Sequence, residues 1–450
     1  MIYYLKKQKM EIPKKVRWMQ DLLPEQHKYF TFIKKVFRHE FRKNGFRRIS
    51  TPILEEKELF ERALWAWTDV IDKEMYNLVD KKWRELVLKP ETTAWVMRAY
   101  IENDMQSLTQ PVSLYYFEPH FRYDRPQKGR YRQHHQIWAE IIWEKDPILD
   151  AQLIYIAYKT FNLIWLKGDF KVKINSIWTP KDRIKYLEKL RDYYETKKSL
   201  LSEDALSKLE INPLRVLDTK IEDEIILAKQ APKIVDSLKK DSKAHYDKVK
   251  EYLEIFWVPY TEDHTLVRWL DYYTHTVWEF VDDSGRSQNS LWGGWRYNLL
   301  SQAIWHKDEI PAVWMWLWAE RIMEAMIDKW VKLKNKDKID LYFIALWDEA
   351  KKIVLPLSLK ARDSWINTAL SLWSPSLWVQ MKKANRIEAK YVVIVGIMEA
   401  KNWVFQVRDM IEWNQEEIKK EEVLEYIIGK IWKENLNFYS PLNDLILEEK

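Results

Sequence analysis

The chain has 450 residues, which is too long for a single hydrophobic core and predicts two or three domains. Its 74 basic and 68 acidic residues leave a formal net charge of +6, too small an excess for a protein that binds nucleic acid by charge alone. The sequence contains no cysteine, which excludes disulfides and thiolate metal sites.

Nothing in the sequence resembles a membrane or export segment. Residues 1–15 lack the apolar stretch of a secretory signal, and no window approaches the ~20 apolar residues of a membrane span. We therefore expect a cytoplasmic protein with no membrane partner.

Glycine is unusually rare in this chain, and tryptophan is unusually common. Glycine occurs 8 times, although it normally makes up about 7% of a protein, and the normally rare tryptophan occurs 26 times. Trp83, Trp257, Trp347 and Trp403 lie at predicted turns or element ends, where glycine is favoured. We hypothesise that many tryptophans stand where the protein has glycine, as follows if a codon, most plausibly UGA, specifies glycine in its own genetic code. The alternative is a chain with many true turn and surface tryptophans.

The first predicted elements are a helix and an extended segment. Residues 26–44 place Phe30, Ile33, Phe37 and Phe41 at helical spacing, which predicts a buried aromatic stripe. The extended segment that follows contains Pro52, which is typical of an edge strand and suits a dimer contact. The sequence then predicts a short helix over residues 58–64, a hairpin over residues 74–90 and a further helix that begins in PETTA (90–94).

The most informative stretch runs from Leu114 to Glu140. Two strand-like runs, 114–123 and 131–142, are separated by a basic loop, which predicts an antiparallel hairpin. The alternative is a solvated basic hairpin. The loop region supplies guanidinium groups that suit phosphate, and the strands supply acceptors on one shared face. These residues are Arg122, Arg125, Arg130 and Arg132, with Glu118, Gln136 and Glu140 as the acceptors.

Later changes of pattern mark the domain boundaries. Residues 181–256 are charged and helical, which indicates an insertion within a strand-rich domain covering 1–180 and 257–334. Strands and helices alternate after residue 334, which predicts a separate α/β domain over 335–432. Residues 433–450 form a tail to which the sequence assigns no role.

Four motifs, in this order, resemble those of histidyl-tRNA synthetases, which are class II aminoacyl-tRNA synthetases. The motifs are KPETTAWVMRAY (89–100), FRYDRPQKGRYRQHHQ (121–136), LVRWLDYYTHT (266–276) and AVWMWLWAERI (312–322). The third of them, with glycine read for Trp269, is similar to a signature of the histidine-specific enzymes and their paralogue. The resemblance spans nearly the whole chain.

The resemblance implies an α+β fold and a ligase. The fold has a class II antiparallel catalytic sheet with flanking helices, the helical insertion, and a C-terminal α/β anticodon-binding domain. The implied reaction joins L-histidine to tRNA(His) through a histidyl-adenylate, with ATP as substrate, Mg²⁺ as its counterion and a homodimer as the working form.

The resemblance also implies residue roles. Arg122 and Arg268 are the catalytic cations at the α-phosphate, and Arg321 completes the ATP-binding set near the γ-phosphate and adenine. Arg125, Gln127 and Arg132 meet the acceptor end of the tRNA. Glu140 and Tyr273 contact the imidazole, Gln136 the carboxylate, and Glu91, Thr93 and Tyr297 the α-amino group. The full histidine-binding set is Glu91, Thr92, Thr93, Arg122, Gln136, Glu140, Arg268, Tyr272, Tyr273 and Tyr297.

Some residues depart from the family pattern or admit a second interpretation. Lys89 and Thr92 replace the arginine and glycine that the family usually has beside Glu91, and lysine cannot bind bidentately. Tyr272 and Tyr273 also fit ordinary aromatic packing. A true indole at Trp316 or Trp318 would obstruct ATP, because the family has glycine in this motif.

Two alternative functions stay open at this stage. One is the catalytically inactive paralogue of the family, a regulatory subunit of ATP phosphoribosyltransferase, which lacks the anticodon-binding domain. The other is a class II synthetase of another amino-acid specificity. The tryptophan hypothesis makes a separate prediction: several of seven tryptophans lie at positive φ, are exposed, or crowd the nucleotide pocket. The seven are Trp83, Trp257, Trp314, Trp316, Trp318, Trp347 and Trp403.

Overall fold

The computed structural model describes residue 12 and residues 14–64, 74–123, 129–164, 170–177, 180–267, 273–282, 290–333, 339–371 and 376–435. The chain divides into two compact units, Met1–Val331 and Lys332–Lys450. No helix within the described ranges combines the length and the apolar character that a bilayer span needs.

An eight-stranded sheet organises the first unit. Its six inner strands are antiparallel, and a short parallel strand lies at each edge. In spatial order the strands are β1 (Arg47–Arg48), β5 (Val112–Phe121), β6 (Gln133–Ile142), β11 (Ala312–Trp318), β10 (Ser290–Arg296), β9 (Thr274–Asp282), β7 (Phe170–Ser176) and β8 (Thr261–Glu262).

The predicted central hairpin is confirmed. Strands β5 and β6 pair without interruption from Val112 opposite Ile142 to Phe121 opposite Gln133. Directly opposed residues point to the same face of a sheet. Glu118 lies opposite Gln136, so the acceptors that the sequence placed on one face do share it.

Helices cover the face of the sheet opposite to these acceptors. Helix α1 (Pro24–Lys43) begins with proline, which suits the first helical position, and buries the predicted aromatic stripe. Its Phe30 ring packs edge-on against His135 of β6, and its Phe37 ring contacts Trp292 of β10. The other helices on this side are α4 (Ile148–Leu163) and α11 (Ala319–Asp328).

The acceptor face is bordered by a small sheet and its helices. The small sheet has the strand order β2 (Leu54–Glu56), β4 (Glu85–Leu88) and β3 (Asn77–Val79). The accompanying helices are α2 (Lys57–Leu64), α3 (Thr93–Glu102) and α10 (Leu300–Ala303).

Between β7 and β8 the chain is helical, as its charge pattern predicts. The helices are α5 (Pro180–Glu195), α6 (Glu203–Ile211), α7 (Leu214–Leu217), α8 (Glu222–Gln230) and α9 (Lys240–Ile255). The apolar faces of α5 to α8 join the same core as Trp138 and Trp314 of the large sheet.

The second unit is a five-stranded sheet with helices. Its strand order is β13 (Thr368–Ser371), β12 (Leu341–Ala345), β14 (Tyr391–Val395), β15 (Val404–Asp409) and β16 (Gln415–Lys419). The helices are α12 (Asp348–Asp363), α13 (Leu377–Arg386), α14 (Ile397–Asn402) and α15 (Val423–Asn435). The alternation predicted here is present, and α14 is one helix that the pattern did not indicate.

Candidate active site

Glu140 is the centre of a buried polar group on the sheet. Its carboxyl group accepts a hydrogen bond from the hydroxyl of Tyr116 at 2.8 Å and another from the hydroxyl of Tyr297. All three side chains are fully buried or nearly so. Burial raises the pKa of Glu140 to about 8, although the two hydroxyl donors oppose the shift. Such a group is suited to exchange hydrogen bonds with a polar ring that enters the site.

Gln136 lies four residues before Glu140 in β6, on the same face of the sheet. Its amide oxygen accepts a hydrogen bond from the indole of Trp138 at 2.9 Å. The side chain predicted to meet a substrate carboxylate is therefore occupied by an indole in this structure.

Glu91, Thr92 and Thr93 lie at the N-terminus of α3. The Glu91 carboxylate accepts the backbone N–H groups of Thr93 at 2.8 Å and Ala94 at 3.1 Å, which satisfies donors that a helix start leaves open. Burial raises the pKa of Glu91, and these N–H donors oppose the shift. The negative charge of Glu91 in turn contributes to the raised pKa of Glu140.

Thr92 contacts a histidine that the sequence did not single out. The Thr92 hydroxyl lies 2.6 Å from Nε2 of His120, whose Nδ1 lies 3.1 Å from the Glu118 carbonyl. A carbonyl only accepts, so Nδ1 carries the proton and Nε2 accepts from Thr92. Burial lowers the pKa of His120 well below its ordinary value, which keeps the ring neutral. The available signal was alternation along β5, which places His120 on the face of Glu118.

Lys89 occupies the position where the family usually has arginine, and it reaches across to β5. Its ammonium group forms an ion pair with Glu118 and donates to the Thr51 hydroxyl at 3.1 Å. Lys89 is fully buried, and burial lowers its pKa. Glu118, predicted as a ligand acceptor, is therefore engaged in joining this loop to the segment beside Pro52.

Two of the three arginines predicted to bind ATP lie within the described residues. Arg122 Nε donates to the Pro90 carbonyl at 2.8 Å, which ties the end of the hairpin to the loop before α3. Arg321 donates to the carbonyls of Gly129 at 3.1 Å and Ser290 at 2.8 Å. Burial lowers the pKa of Arg321 to about 10, and the charge of Arg130 adds to that shift.

The remaining predicted residues divide into two groups. Tyr273 is buried with its ring 4.5 Å from that of Trp295, and the Arg132 guanidinium stacks on Tyr123 at 3.5 Å. Four others lie outside the described residues, and their predicted roles stay predictions. These are Arg125, Gln127, Arg268 and Tyr272.

Indoles cover the face that carries Glu140 and Gln136. In β11, Trp314 lies opposite Glu140 and Trp318 opposite Gln136. The Trp314 ring stacks on Trp138 at 4.1 Å and meets Trp295 edge-on at 4.2 Å. The Trp318 ring stacks on His134 at 3.8 Å and lies under the Arg321 guanidinium at 4.4 Å. The indoles of the third motif are closely stacked in the structure, and their obstruction of ATP stays a prediction. Trp316, between the other two in β11, lies opposite Trp138.

A fully buried ion pair supports the site from the other face of the sheet. Arg296 precedes Tyr297 in the chain, and its guanidinium pairs with Asp150 of α4 and donates to the carbonyls of Glu144 at 2.7 Å and Asp146 at 3.1 Å. Strand alternation sends Arg296 and Tyr297 to opposite faces. The pair therefore anchors the end of β10 from which Tyr297 reaches Glu140, a role that sequence reasoning missed.

A cavity of about 180 Å³ lies on the opposite face of β6, beside His135 and Glu320. The Glu320 carboxylate accepts from the His135 backbone N–H at 2.9 Å and lies 2.9 Å from Nδ1 of the same residue. Among the described residues there is no group of three or more His, Asp or Glu side chains that could hold a metal ion.

The chain is similar to known proteins over most of its length. Residues 18–314 match the family model described as histidyl-tRNA synthetase, and residues 340–430 match the anticodon binding domain. A histidine--tRNA ligase of Halothermothrix orenii is 36% identical over 409 residues, covering 91% of this chain and 97% of that protein. One of Bacillus cytotoxicus is 37% identical over 418 residues, covering 92% and 98%.

A solved structure gives the same result. The crystal structure of apo S. aureus histidyl-tRNA synthetase matches with a TM-score of 0.77 at 32% identity, covering 92% of this chain and 100% of that one. The matched ranges include both Glu140 and most of the second unit, so the predicted family membership is confirmed. The chain belongs to the histidyl-tRNA synthetase family.

Proposed function

We propose that Glu140 is the group by which this protein selects L-histidine, which it activates with ATP and joins to tRNA(His). The activity follows from the family, since the similar proteins are histidine--tRNA ligases over more than nine-tenths of this chain. The observation that carries the residue proposal is the buried carboxyl group of Glu140, held by Tyr116 and Tyr297. Imidazole has two nitrogens that need partners, so a site of paired polar groups discriminates against ligands that lack them.

We propose that several other side chains bind histidine together with Glu140. Tyr273 is buried next to the same sheet face, and Glu91 lies close enough for its charge to raise the Glu140 pKa. We propose Gln136 for the substrate carboxylate. Tyr297, predicted beside the α-amino group, donates to Glu140 in this structure and so is also suited to position that carboxyl group.

The proposed reaction has two steps. A carboxylate oxygen of histidine attacks the α-phosphorus of ATP, the bond from that phosphorus to the bridging oxygen of the β-phosphate breaks, and pyrophosphate leaves. The terminal ribose hydroxyl of the tRNA then attacks the acyl carbon, and AMP and a proton are released. We propose that Arg122 and Arg268 stabilise the charge that develops on the α-phosphate, with Arg321 holding the rest of the nucleotide.

Mg²⁺ is proposed to enter with ATP. It usually takes most of its ligands from substrate phosphates and water, with one or two carboxylates from the protein. The residues present fit this mode, because the sheet offers one carboxylate, Glu279, near Arg321. Glu279 lies opposite Gly293 and therefore on the same sheet face as Trp316. Its carboxylate accepts from the Ser290 hydroxyl at 2.7 Å. When bound, the ion would shield phosphate charge.

The second unit supports the ligase over the regulatory alternative. Residues 340–430 match an anticodon binding domain, which the inactive paralogue lacks. We propose that this unit reads the anticodon of tRNA(His) while Arg125, Gln127 and Arg132 meet the acceptor end. A homodimer and a cytoplasmic location belong to the same proposal.

ATP–pyrophosphate exchange tests the proposed specificity. The protein is assayed with each amino acid in turn, and only histidine is expected to support exchange. Glu140→Gln is expected to raise the KM for histidine at least tenfold with ATP affinity retained. Glu144→Gln, two residues after the end of the same strand, is the matched control and should behave as wild type. Exchange with another amino acid, or an unchanged KM in Glu140→Gln, would contradict the proposal.

Arg268 is tested in the same assay. Arg268→Ala or Arg268→His is expected to abolish histidyl-adenylate formation without changing the fold, because the residue is proposed for charge stabilisation rather than packing. Histidine-dependent exchange within a few-fold of wild type would remove that role.

A further inference from the structure

Tryptophan occupies backbone conformations in which glycine is normally required. Among the described residues, twelve other than glycine have positive φ, and nine of them are tryptophan. The left-handed region is strained for L-residues, and a bulky side chain there is an outlier. The nine, with φ between 54° and 84°, are Trp18, Trp83, Trp143, Trp257, Trp305, Trp330, Trp365, Trp403 and Trp413.

A true glycine in the same chain shows what these positions require. Gly45 follows helix α1 with φ +83°. Its N–H donates to the Arg42 carbonyl at 3.1 Å, and the N–H of Phe46 donates to the Phe41 carbonyl at 3.0 Å. This pair of bonds closes a helix with a left-handed residue, which is usually glycine.

Four helices end in the same way with tryptophan in place of glycine. After α12, for example, the Trp365 N–H donates to the Arg362 carbonyl at 2.9 Å, and the Ile366 N–H donates to the Ala361 carbonyl at 3.1 Å. The indoles of Trp257, Trp330 and Trp365 gain little from the fold, because each is at least 82% exposed. Trp305 is 74% exposed, and its ring contacts the Arg62 guanidinium at 3.2 Å. The tryptophans that end α9, α10, α11 and α12 are Trp257, Trp305, Trp330 and Trp365.

Two further tryptophans occupy hairpin turns. Trp83 lies in the turn between β3 and β4 with φ 63° and is 87% exposed. Trp413 lies in the turn between β15 and β16 with φ 61°. Both turns require a residue that tolerates positive φ. The Trp413 ring lies 5.1 Å from the Arg408 guanidinium, but an exposed contact of this kind contributes less than the backbone strain costs.

Inside the first unit several indoles lack the polar partners that buried tryptophans normally find. Six have a buried ring nitrogen with no hydrogen-bond partner in the described part of the chain. These are Trp18, Trp95, Trp278, Trp292, Trp314 and Trp316, so a missing partner alone does not mark a glycine position. Trp314 and Trp316 project from the sheet face that carries Glu140.

We infer that the working protein carries glycine at the nine left-handed tryptophan positions and at Trp314, Trp316 and Trp318. A codon that specifies glycine has then been written as tryptophan in this sequence. Trp347 does not belong to this group on backbone grounds, since its φ of −158° is open to any residue. Trp278 is also excluded, because it packs on Gly294, where a Cβ would meet the indole at 2.2 Å.

Peptide masses of the protein from its native source test the inference directly. Peptides spanning the nine positions and β11 are expected to have the mass of glycine, and the peptide with Trp278 the mass of tryptophan. Tryptophan at the left-handed positions would overturn the inference.

A binding experiment tests the consequence for the sheet face, and this arm rests on the proposed function. Recombinant protein with tryptophan at 314, 316 and 318 is expected to bind ATP at least tenfold more weakly than the triple glycine variant, as measured by calorimetry. Trp378→Gly, on a surface helix of the second unit, is the control and should not restore binding. Equal ATP affinity in the two versions would overturn the claim for β11. If neither version binds ATP while the masses show glycine, the proposed function falls and the inference stands.

Discussion

Trp365 offers the cleanest measure of what an indole costs at a glycine position. Its left-handed backbone costs a non-glycine residue about 2 kcal/mol, which Trp365→Gly would recover. About 0.5 kcal/mol of that gain is lost again, because glycine increases the conformational entropy of the unfolded chain. The side chain is 91% exposed, so the lost packing is about 20 Å² of a large aromatic surface, or about 0.5 kcal/mol. The net expectation is a stabilisation of about 1 kcal/mol.

Differential scanning calorimetry of the full chain measures this effect. For a unit the size of residues 332–450, about 1 kcal/mol corresponds to a Tm increase of roughly 4 °C. Trp378→Gly is the matched control, because Trp378 lies in the same unit, is 69% exposed and has helical backbone in α13. Glycine in a helix costs about 1 kcal/mol relative to alanine, so its Tm should fall. A decrease in both variants would refute the argument from backbone strain.

Three further predictions concern the first unit. Burial raises the Glu140 pKa from 4.5 to about 8, so the folded chain holds a proton that the unfolded chain releases. Stability should therefore fall as pH rises through this window, by up to about 1.4 kcal/mol per pH unit, and denaturation of Glu140→Gln should lack that slope. Arg296→Met should cost about 3–5 kcal/mol in urea denaturation, because Asp150 is left charged and buried, and replacing both should recover most of it. Small-angle scattering at micromolar concentration should give a dimer mass, with the segment around Pro52 at the two-fold axis; a monomer would contradict this.

Much of the fold could be predicted because local patterns and long-range packing agree. The stripe from Phe30 to Phe41 is buried on α1 as its spacing indicated, and the β5–β6 hairpin follows from two alternating runs around a basic loop. The short helix α14 was missed because it has only six residues, too few for a periodic pattern.

The site was predictable in its residues but not in their contacts. Glu140 and Gln136 share a face because strand alternation requires it. Alternation does not say that Glu118 is taken by Lys89 from a distant loop, or that Gln136 accepts from an indole. Those contacts form only through the tertiary packing of the folded chain. Arg296 is a further case, since its partner Asp150 lies on a helix far away in the chain.

The indoles that cover the sheet face are the physical cause of the raised pKa of Glu140. Trp314 lies directly opposite Glu140, and with Trp138 and Trp295 it keeps water from the carboxyl group, so the protonated form is favoured. Glycine at position 314 would remove the largest neighbouring ring and admit water or a ligand. The Glu140 pKa would then fall toward its ordinary value, and the carboxylate would be the form that meets histidine at neutral pH. If Glu140 has the same pKa in proteins with tryptophan and with glycine at position 314, the indole does not raise that pKa, and this explanation is contradicted.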